Sequence, residues 1–328
     1  MIDILGTLGP GCDDKETMTQ MFAAGMTGIR INLSHTSLLD CKDKIKMIQS
    51  AALSKGVTAK ILIDLQGPEL RIQKLKNPIP LIEGESFVFG DDGVPVDEKL
   101  LEKMTAGTEV LLDDGKIMVR IEHMGESGCR ARVLRSGILH SGKSIALVGV
   151  DVDMPALTAR DRENLSYAKD LGVTGVMQPF VRSREDLIEV RTALLEQGCD
   201  DIRLYAKIEN HFGVENLSSF FELCDEIVIA RGDLGNSMPL WELPRVQKQI
   251  AKECRACHMP FMVVTQMLSS MEHAKVPTRA EVSDIYNAVL DGASSVMVTG
   301  ETAVGEYPAE VIHYLRKTAE EALRNLKF

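Results

Sequence analysis

Eight short β-prone runs alternate with amphipathic stretches along this chain, and few folds accept that rhythm. The runs lie at residues 3–8, 28–33, 60–64, 175–181, 204–208, 226–230, 261–264 and 295–298. Helical stretches such as 13–24, 184–196 and 242–256 lie between them. In the first of these, Met18, Met21 and Phe22 recur at helical spacing, and Gly25 follows as a stop. Strands separated by helices pair in parallel. Eight such units favour closure into a (β/α)8 TIM barrel over an open doubly wound sheet.

The rhythm lapses between residues 72 and 148. There 110–112, 117–121 and 130–134 read as short strands, with turns at Asp113-Asp114-Gly115 and Glu126-Ser127-Gly128. The expected organisation is a first barrel part at 1–71, a small β domain inserted after the third strand at 72–148, and a second barrel part at 149–328. Without the insertion the chain comes to about 250 residues, the usual size of this barrel.

Composition removes several function classes. Of 328 residues, 45% are hydrophobic and 26% charged, which fits a globular chain and not a disordered or fibrous one. No apolar run approaches the roughly 20 residues of a membrane helix, so no membrane partner is expected. Asp3 breaks the N-terminus with no basic stretch before it, unlike a secretory leader. Seven scattered cysteines, an odd number, fit a reduced cytoplasmic setting better than a disulfide framework. A net charge of −11 argues against a broad nucleic-acid surface. It leaves room for a small anionic substrate held by a few converging cations.

Polar residues gather where the β runs end: Arg30, Asn32 and Ser34; Asp64; Lys207 and Glu209; Asp233; Thr265; Thr299 and Glu301. In a barrel those ends form the face that carries active sites. Glu209 and Asp233 offer two carboxylates to a hard divalent cation. Arg30, Arg71 and Lys207 suit phosphate. The run Ala230-Arg-Gly-Asp-Leu-Gly235 reads as a tight turn whose glycines let backbone N–H groups approach an anion. Together these predict metal-assisted chemistry on a small phosphorylated or carboxylated molecule.

Three other motifs are decoys. Gly137 to Ser144 satisfies the P-loop pattern, but a β-prone run follows where a phosphate-binding helix would have to start. Cys254-Arg-Ala-Cys257-His258 matches a haem-attachment pattern at an expected helix end. With no second cysteine pair, it is also a poor zinc site. Arg231-Gly232-Asp233 looks like an adhesion tripeptide, yet it follows a buried β run.

Taken together the motifs resemble pyruvate kinases over nearly the whole chain. The stretches that carry the resemblance begin with Thr7-Leu-Gly-Pro10, Gly25-Met-Thr-Gly-Ile-Arg-Ile-Asn-Leu-Ser-His35 and Asp64-Leu-Gln-Gly-Pro-Glu-Leu-Arg71. Asp113-Asp-Gly115, Lys207-Ile-Glu-Asn-His211 and Ala230 to Gly235 continue it. Thr265-Gln-Met-Leu268, Pro277-Thr-Arg-Ala-Glu281 and Gly300-Glu-Thr-Ala303 complete it. The resemblance implies phosphoryl transfer from phosphoenolpyruvate to ADP. It implies Glu209 and Asp233 as ligands of Mg²⁺ or Mn²⁺, Lys207 as stabiliser of the transferring group, and Arg30 as a second clamp. Gly232, Asp233 and Thr265 would hold the substrate carboxylate, with Thr299 nearby and Thr265 close to the proton relay. Asn32, Ser34, Asp64 and the carbonyl of Leu65 would form a K⁺ pocket. Pro10, His35, Arg71 and Lys143 would face the nucleotide.

Several positions depart from the family pattern. Val304 stands in place of a frequent lysine near the nucleotide, and Thr299 in place of a serine. Met177-Gln-Pro-Phe180 replaces the usual Phe-Ala-Ser-Phe. The chain stops at Phe328, just after the eighth expected helix. The usual C-terminal domain and its sugar-phosphate effector site are therefore expected to be absent, leaving a homodimer through the barrel. Glu69 accompanies K⁺ dependence in the family. An uncompensated carboxylate near phosphate would need such a cation, although Leu65, Gln66 and Ile72 resemble the K⁺-independent type. Two other readings stay open: a metal-dependent lyase or aldolase acting through a pyruvate enolate, and a non-catalytic binding protein. The inserted domain argues against the first and the full set of charged residues against the second.

Overall fold

The computed structural model describes every residue except 1, 35, 91, 92, 114, 126, 127, 151, 153 and 326–328. It falls into two compact units: Met1–Gly67, Ala156–Arg231 and Glu242–Phe328 form the first, Pro68–Pro155 and Gly232–Trp241 the second.

In the first unit the strands are Asp3–Thr7 (β1), Gly28–Asn32 (β2), Lys60–Asp64 (β3), Gly175–Gln178 (β11), Arg203–Ile208 (β12), Glu226–Ala230 (β13), Phe261–Val264 (β14) and Ser295–Met297 (β15). All pair in parallel, and β1 bonds to both β2 and β15, closing the barrel. Parallel strands covered on both faces carry continuous apolar runs. Accordingly β13 and β14 are buried at every position. Leu5, Leu62, Met177, Tyr205, Val228, Met262 and Met297 belong to one buried cluster fed by every barrel strand except β2. Gly175 opens β11 where a Cβ would lie 2.6 Å from both Leu62 and Tyr205, so the close strand approach requires glycine.

The expected boundaries shift by one to three residues for local reasons. The strand expected at 175–181 ends at Gln178, because Pro179 has no N–H for the ladder. The helix expected at 13–24 runs Lys15–Ala23, capped by the Asp14 side chain, which accepts from the Thr17 N–H. Arg184–Glu196 begins at a Ser183–Asp186 capping box. The expected tight turn after β13 is a short helix, Arg231–Asn236.

Among the described residues the second unit holds seven strands: Ile79–Leu81 (β4), Ser86–Phe89 (β5), Glu109–Leu112 (β6), Ile117–Gly125 (β7), Gly128–Arg135 (β8), Gly137–Leu139 (β9) and Ile145–Leu147 (β10). Five make an antiparallel sheet in the order β10-β6-β7-β8-β5, and β4 pairs with β9. Phe89, Val110, Val119, Ile121, Val133 and Leu139 contribute to its own core. Sequence reading assigned β6, β7 and β8 and read the run at β10 as β-prone; β4, β5 and β9, three or four residues long, are too short to show alternation. The P-loop pattern starts on β9 and ends at Ser144, and the next residue begins β10, a strand paired with β6, where a phosphate-binding helix would have to start. Cys254, the first cysteine of the haem-like motif, is buried near the end of the helix Leu243–Ala256. All seven cysteines are free thiols. Among the described residues no helix is long and apolar enough to cross a membrane.

Candidate active site

Two buried carboxylates, Asp64 and Glu209, meet two partly buried cations, Arg30 and Lys207, at the C-terminal ends of β2, β3 and β12. Arg30 places Nε and Nη2 at 2.8 and 2.6 Å from Asp64 Oδ2. Lys207 Nζ lies 3.1 Å from the same oxygen and 3.0 Å from Glu209 Oε1. Glu209 Oε2 accepts the Phe180 backbone N–H at 2.8 Å. Asp64 and Glu209 are only 2% and 3% exposed, so neither carboxylate relies on bulk water. Burial pushes the Asp64 carboxyl upward, but the charges and hydrogen bonds of Lys207 and Arg30 outweigh it and hold the pKa below the usual carboxylate range. Two cations thus balance two carboxylates beneath the barrel mouth.

Neighbouring strand ends are tied to one another. Asn32 Oδ1 accepts the Ser34 N–H at 3.2 Å, and the Leu33 N–H bonds to the Asp64 carbonyl. The buried Leu65 donates its N–H to Met177. Beyond β14, Thr265 and Gln266 both adopt left-handed backbone, with φ of 76° and 55°. For a β-branched threonine this is strained. Arg231 secures the turn: its guanidinium donates to the carbonyls of Val264 and Thr265 and pairs with Asp284. Buried Glu301 accepts N–H groups from Leu268 and Thr299, joining the loops after β14 and β15. Exposed Pro10 lies in a turn between Gly9 and Gly11 that packs on Ala303, whose carbonyl accepts the Gly11 N–H at 2.8 Å. Val304 is exposed.

Within the second unit, Arg71 and Lys143 occupy paired segments: Arg71 bridges to Ser144, and the Ile72 N–H bonds to the Lys143 carbonyl. Lys143 Nζ lies 2.7 Å from Asp113 Oδ1, and this hydrogen bond lowers the Asp113 pKa. Arg71 Nη2 lies 2.6 Å from Glu69 Oε2. Glu69 is therefore not the uncompensated carboxylate assumed from sequence; Arg71, two residues on, offsets its charge. Gly232 and Asp233 sit in the first turn of their short helix, where the Asp233 carbonyl accepts the Ser237 N–H. His35 lies outside the described residues.

The structure thus brings together Arg30, Asp64, Lys207 and Glu209, and separately Arg71 with Lys143. Sequence reasoning missed the Phe180 N–H and the guanidinium of Arg231 as organisers. Neither leaves a signal in a one-dimensional pattern, because a left-handed phenylalanine follows no propensity rule. Among the described residues no group of three or more His, Cys, Asp or Glu side chains is placed to hold a metal ion by itself. The anionic oxygens of Glu209 still fit a hard divalent cation that keeps water and substrate oxygens as further ligands. Asn32, Ser34, Asp64 and the Leu65 carbonyl each contain an oxygen of the kind a monovalent cation takes, but Asn32 Oδ1 accepts the Ser34 N–H and the Asp64 carboxylate pairs with Arg30 and Lys207.

The family model for the barrel domain of pyruvate kinase matches residues 1–312. The chain is 36% identical to the pyruvate kinase of Bacillus licheniformis over 99% of its length, covering 58% of that protein. It is 36% identical to the pyruvate kinase of Aeropyrum pernix, again over 99% of its length, covering 71% of that protein. The corresponding values for Thermococcus litoralis are 37%, 97% and 68%. The chain spans little more than half the length of several of these curated relatives, including 57% of the Geobacillus stearothermophilus protein.

Proposed function

The chain belongs to the pyruvate kinase family, and from that premise we propose that it moves the phosphoryl group of phosphoenolpyruvate to ADP. The bond from phosphorus to the enol oxygen breaks, and one to a β-phosphate oxygen of ADP forms. The enolate left behind takes a proton at its terminal carbon and becomes pyruvate. The observation that carries this reading is the ion-paired quartet of Arg30, Asp64, Lys207 and Glu209. Phosphoryl transfer needs positioned positive charge more than covalent help.

Lys207 and Arg30 then stabilise charge on the moving phosphoryl group, and Asp64 keeps both side chains oriented. Gly232, Asp233, Thr265 and Thr299 receive the substrate carboxylate, and the Thr265 hydroxyl serves the proton relay. Pro10, His35, Arg71 and Lys143 receive the nucleotide. Glu209 and Asp233 hold Mg²⁺ or Mn²⁺, and Asn32, Ser34, Asp64 and Leu65 hold K⁺. When bound, these cations neutralise phosphate and carboxylate charge. A homodimer in the cytoplasm completes the reading.

The test is a coupled assay with phosphoenolpyruvate, ADP and Mg²⁺, run at fixed ionic strength in K⁺ and in tetramethylammonium salts. Pyruvate formation that depends on both substrates and rises with K⁺ is expected. Glu209→Gln should lower kcat by at least about a hundredfold, the scale of one lost transition-state electrostatic contact. A fully active Glu209→Gln variant would remove the assignment. Equal rates in the two salts would remove K⁺.

A further inference from the structure

We propose that Gln178 is a positioning residue: its buried amide fixes the peptide between Pro179 and Phe180 so that the N–H faces Glu209. The role in metal binding rests on the reading of Glu209 given above; the geometry does not.

A peptide unit is planar, so its carbonyl and N–H point in opposite directions and turn together. Here both ends are held. Gln178 Nε2 donates to the Pro179 carbonyl at 3.2 Å, and the Phe180 N–H donates to Glu209 Oε2 at 2.8 Å. The second Nε2 proton goes to the Ala156 carbonyl at 2.9 Å. Phe180 has a φ of 53°, a left-handed conformation that a phenylalanine does not adopt unaided. Turning the peptide over would aim the Pro179 carbonyl oxygen at the Glu209 carboxylate, acceptor against acceptor. The Gln178 amide opposes that turn by binding the carbonyl on the far side.

The surroundings make this a built element. A Cβ on Gly67 would fall 2.5 Å from Pro179 Cγ, so the ring packs directly on backbone. The Gly67 N–H is itself held by Asp161. On the other flank, Asn210 Nδ2 donates to the Val181 carbonyl at 3.2 Å. Gln178 is 1% exposed, and its Oε1 has no hydrogen-bond partner. An apolar side chain would fill that space without stranding an acceptor. The two donors of the amide are what the position uses.

The experiment compares the full chain with Gln178→Met, which keeps length and packing but removes both donors. Both proteins carry ¹⁵N-phenylalanine. The Phe180 amide should exchange with solvent at least about tenfold faster in the variant, as expected when a local clamp opens. Mn²⁺ affinity, read by electron paramagnetic resonance, should fall about tenfold, the lower end for losing a partner outside the ligand shell. The urea midpoint should stay near the parent's, and kcat should fall more than KM for phosphoenolpyruvate rises. If Gln178→Met does not fold, Gln178→Asn, which withdraws the amide by one methylene, serves the same comparison. Unchanged Phe180 exchange and Mn²⁺ affinity in a folded variant would overturn the proposal. Parental Mn²⁺ affinity that Glu209→Gln leaves unaltered would instead overturn the metal reading, with the exchange measurement still deciding the peptide geometry.

Discussion

Two buried carboxylates in the barrel unit are treated in opposite ways. Asp64 ends β3, is 2% exposed, and is held ionised by Lys207 and Arg30. Glu226 begins β13, is 3% exposed, and has its pKa raised because burial outweighs its other contacts. Those contacts are the hydroxyls of Ser294 and Ser295 and the more distant Arg203, 3.5 Å away. Equal burial therefore does not set the direction of the shift; the partners do. The C-terminal ends of barrel strands gather charges for chemistry, whereas the opposite ends serve stability.

The strongest way to break this comparison is Asp64→Asn, which removes the counter-charge that Arg30 and Lys207 share and leaves Lys207 with Glu209 alone. Urea unfolding at pH 7 without added K⁺ or Mg²⁺ should show a loss of about 3–5 kcal/mol, typical of opening a buried pair. Because the folded pKa is lowered, this contribution is present above the ordinary carboxylate pKa and disappears as pH falls through the folded value. The deficit of the variant should shrink in acid. A deficit independent of pH would mean that packing, and not charge, is what Asp64 supplies.

Lys207→Met should come next. It leaves Glu209 Oε1 without its 3.0 Å ammonium, while Asp64 keeps Arg30. Steady-state kinetics should show kcat down by about two orders of magnitude with little change in KM for phosphoenolpyruvate. A change confined to KM would make Lys207 a binding residue only.

Glu226→Gln should have the smallest effect, and one of opposite sign. A raised carboxyl pKa contributes stability that is full below the unfolded value and lost as pH rises through the folded one. Removing the charge while keeping an acceptor for the two hydroxyls should raise stability at pH 8 by on the order of 1 kcal/mol. The gain should vanish in acid. If the variant is less stable at pH 8, burial does not outweigh the contacts of Glu226 and the contrast with Asp64 fails.

The β/α rhythm was legible residue by residue, and so was the concentration of Arg30, Asp64, Lys207 and Glu209 at strand ends. Strand ends are set by local events, such as Pro179 stopping β11 or Asp14 capping a helix, and these are written in the chain. The pairing of Glu69 with Arg71 was not inferred, although the two stand two residues apart. Side-chain rotamers, not spacing, decide whether such neighbours meet.

Sequence alone determined the barrel, because hydrophobic periodicity dictates which face each element buries and eight such elements have few ways to close. Tertiary structure decided the states of the site: the ionised Asp64 against the raised Glu226, the left-handed Thr265 held by Arg231, and the Phe180 N–H aimed at Glu209. Each of these depends on groups dozens of residues apart meeting within hydrogen-bond distance. Electrostatic and hydrogen-bond energies fall off over ångströms of space, not over positions along the chain.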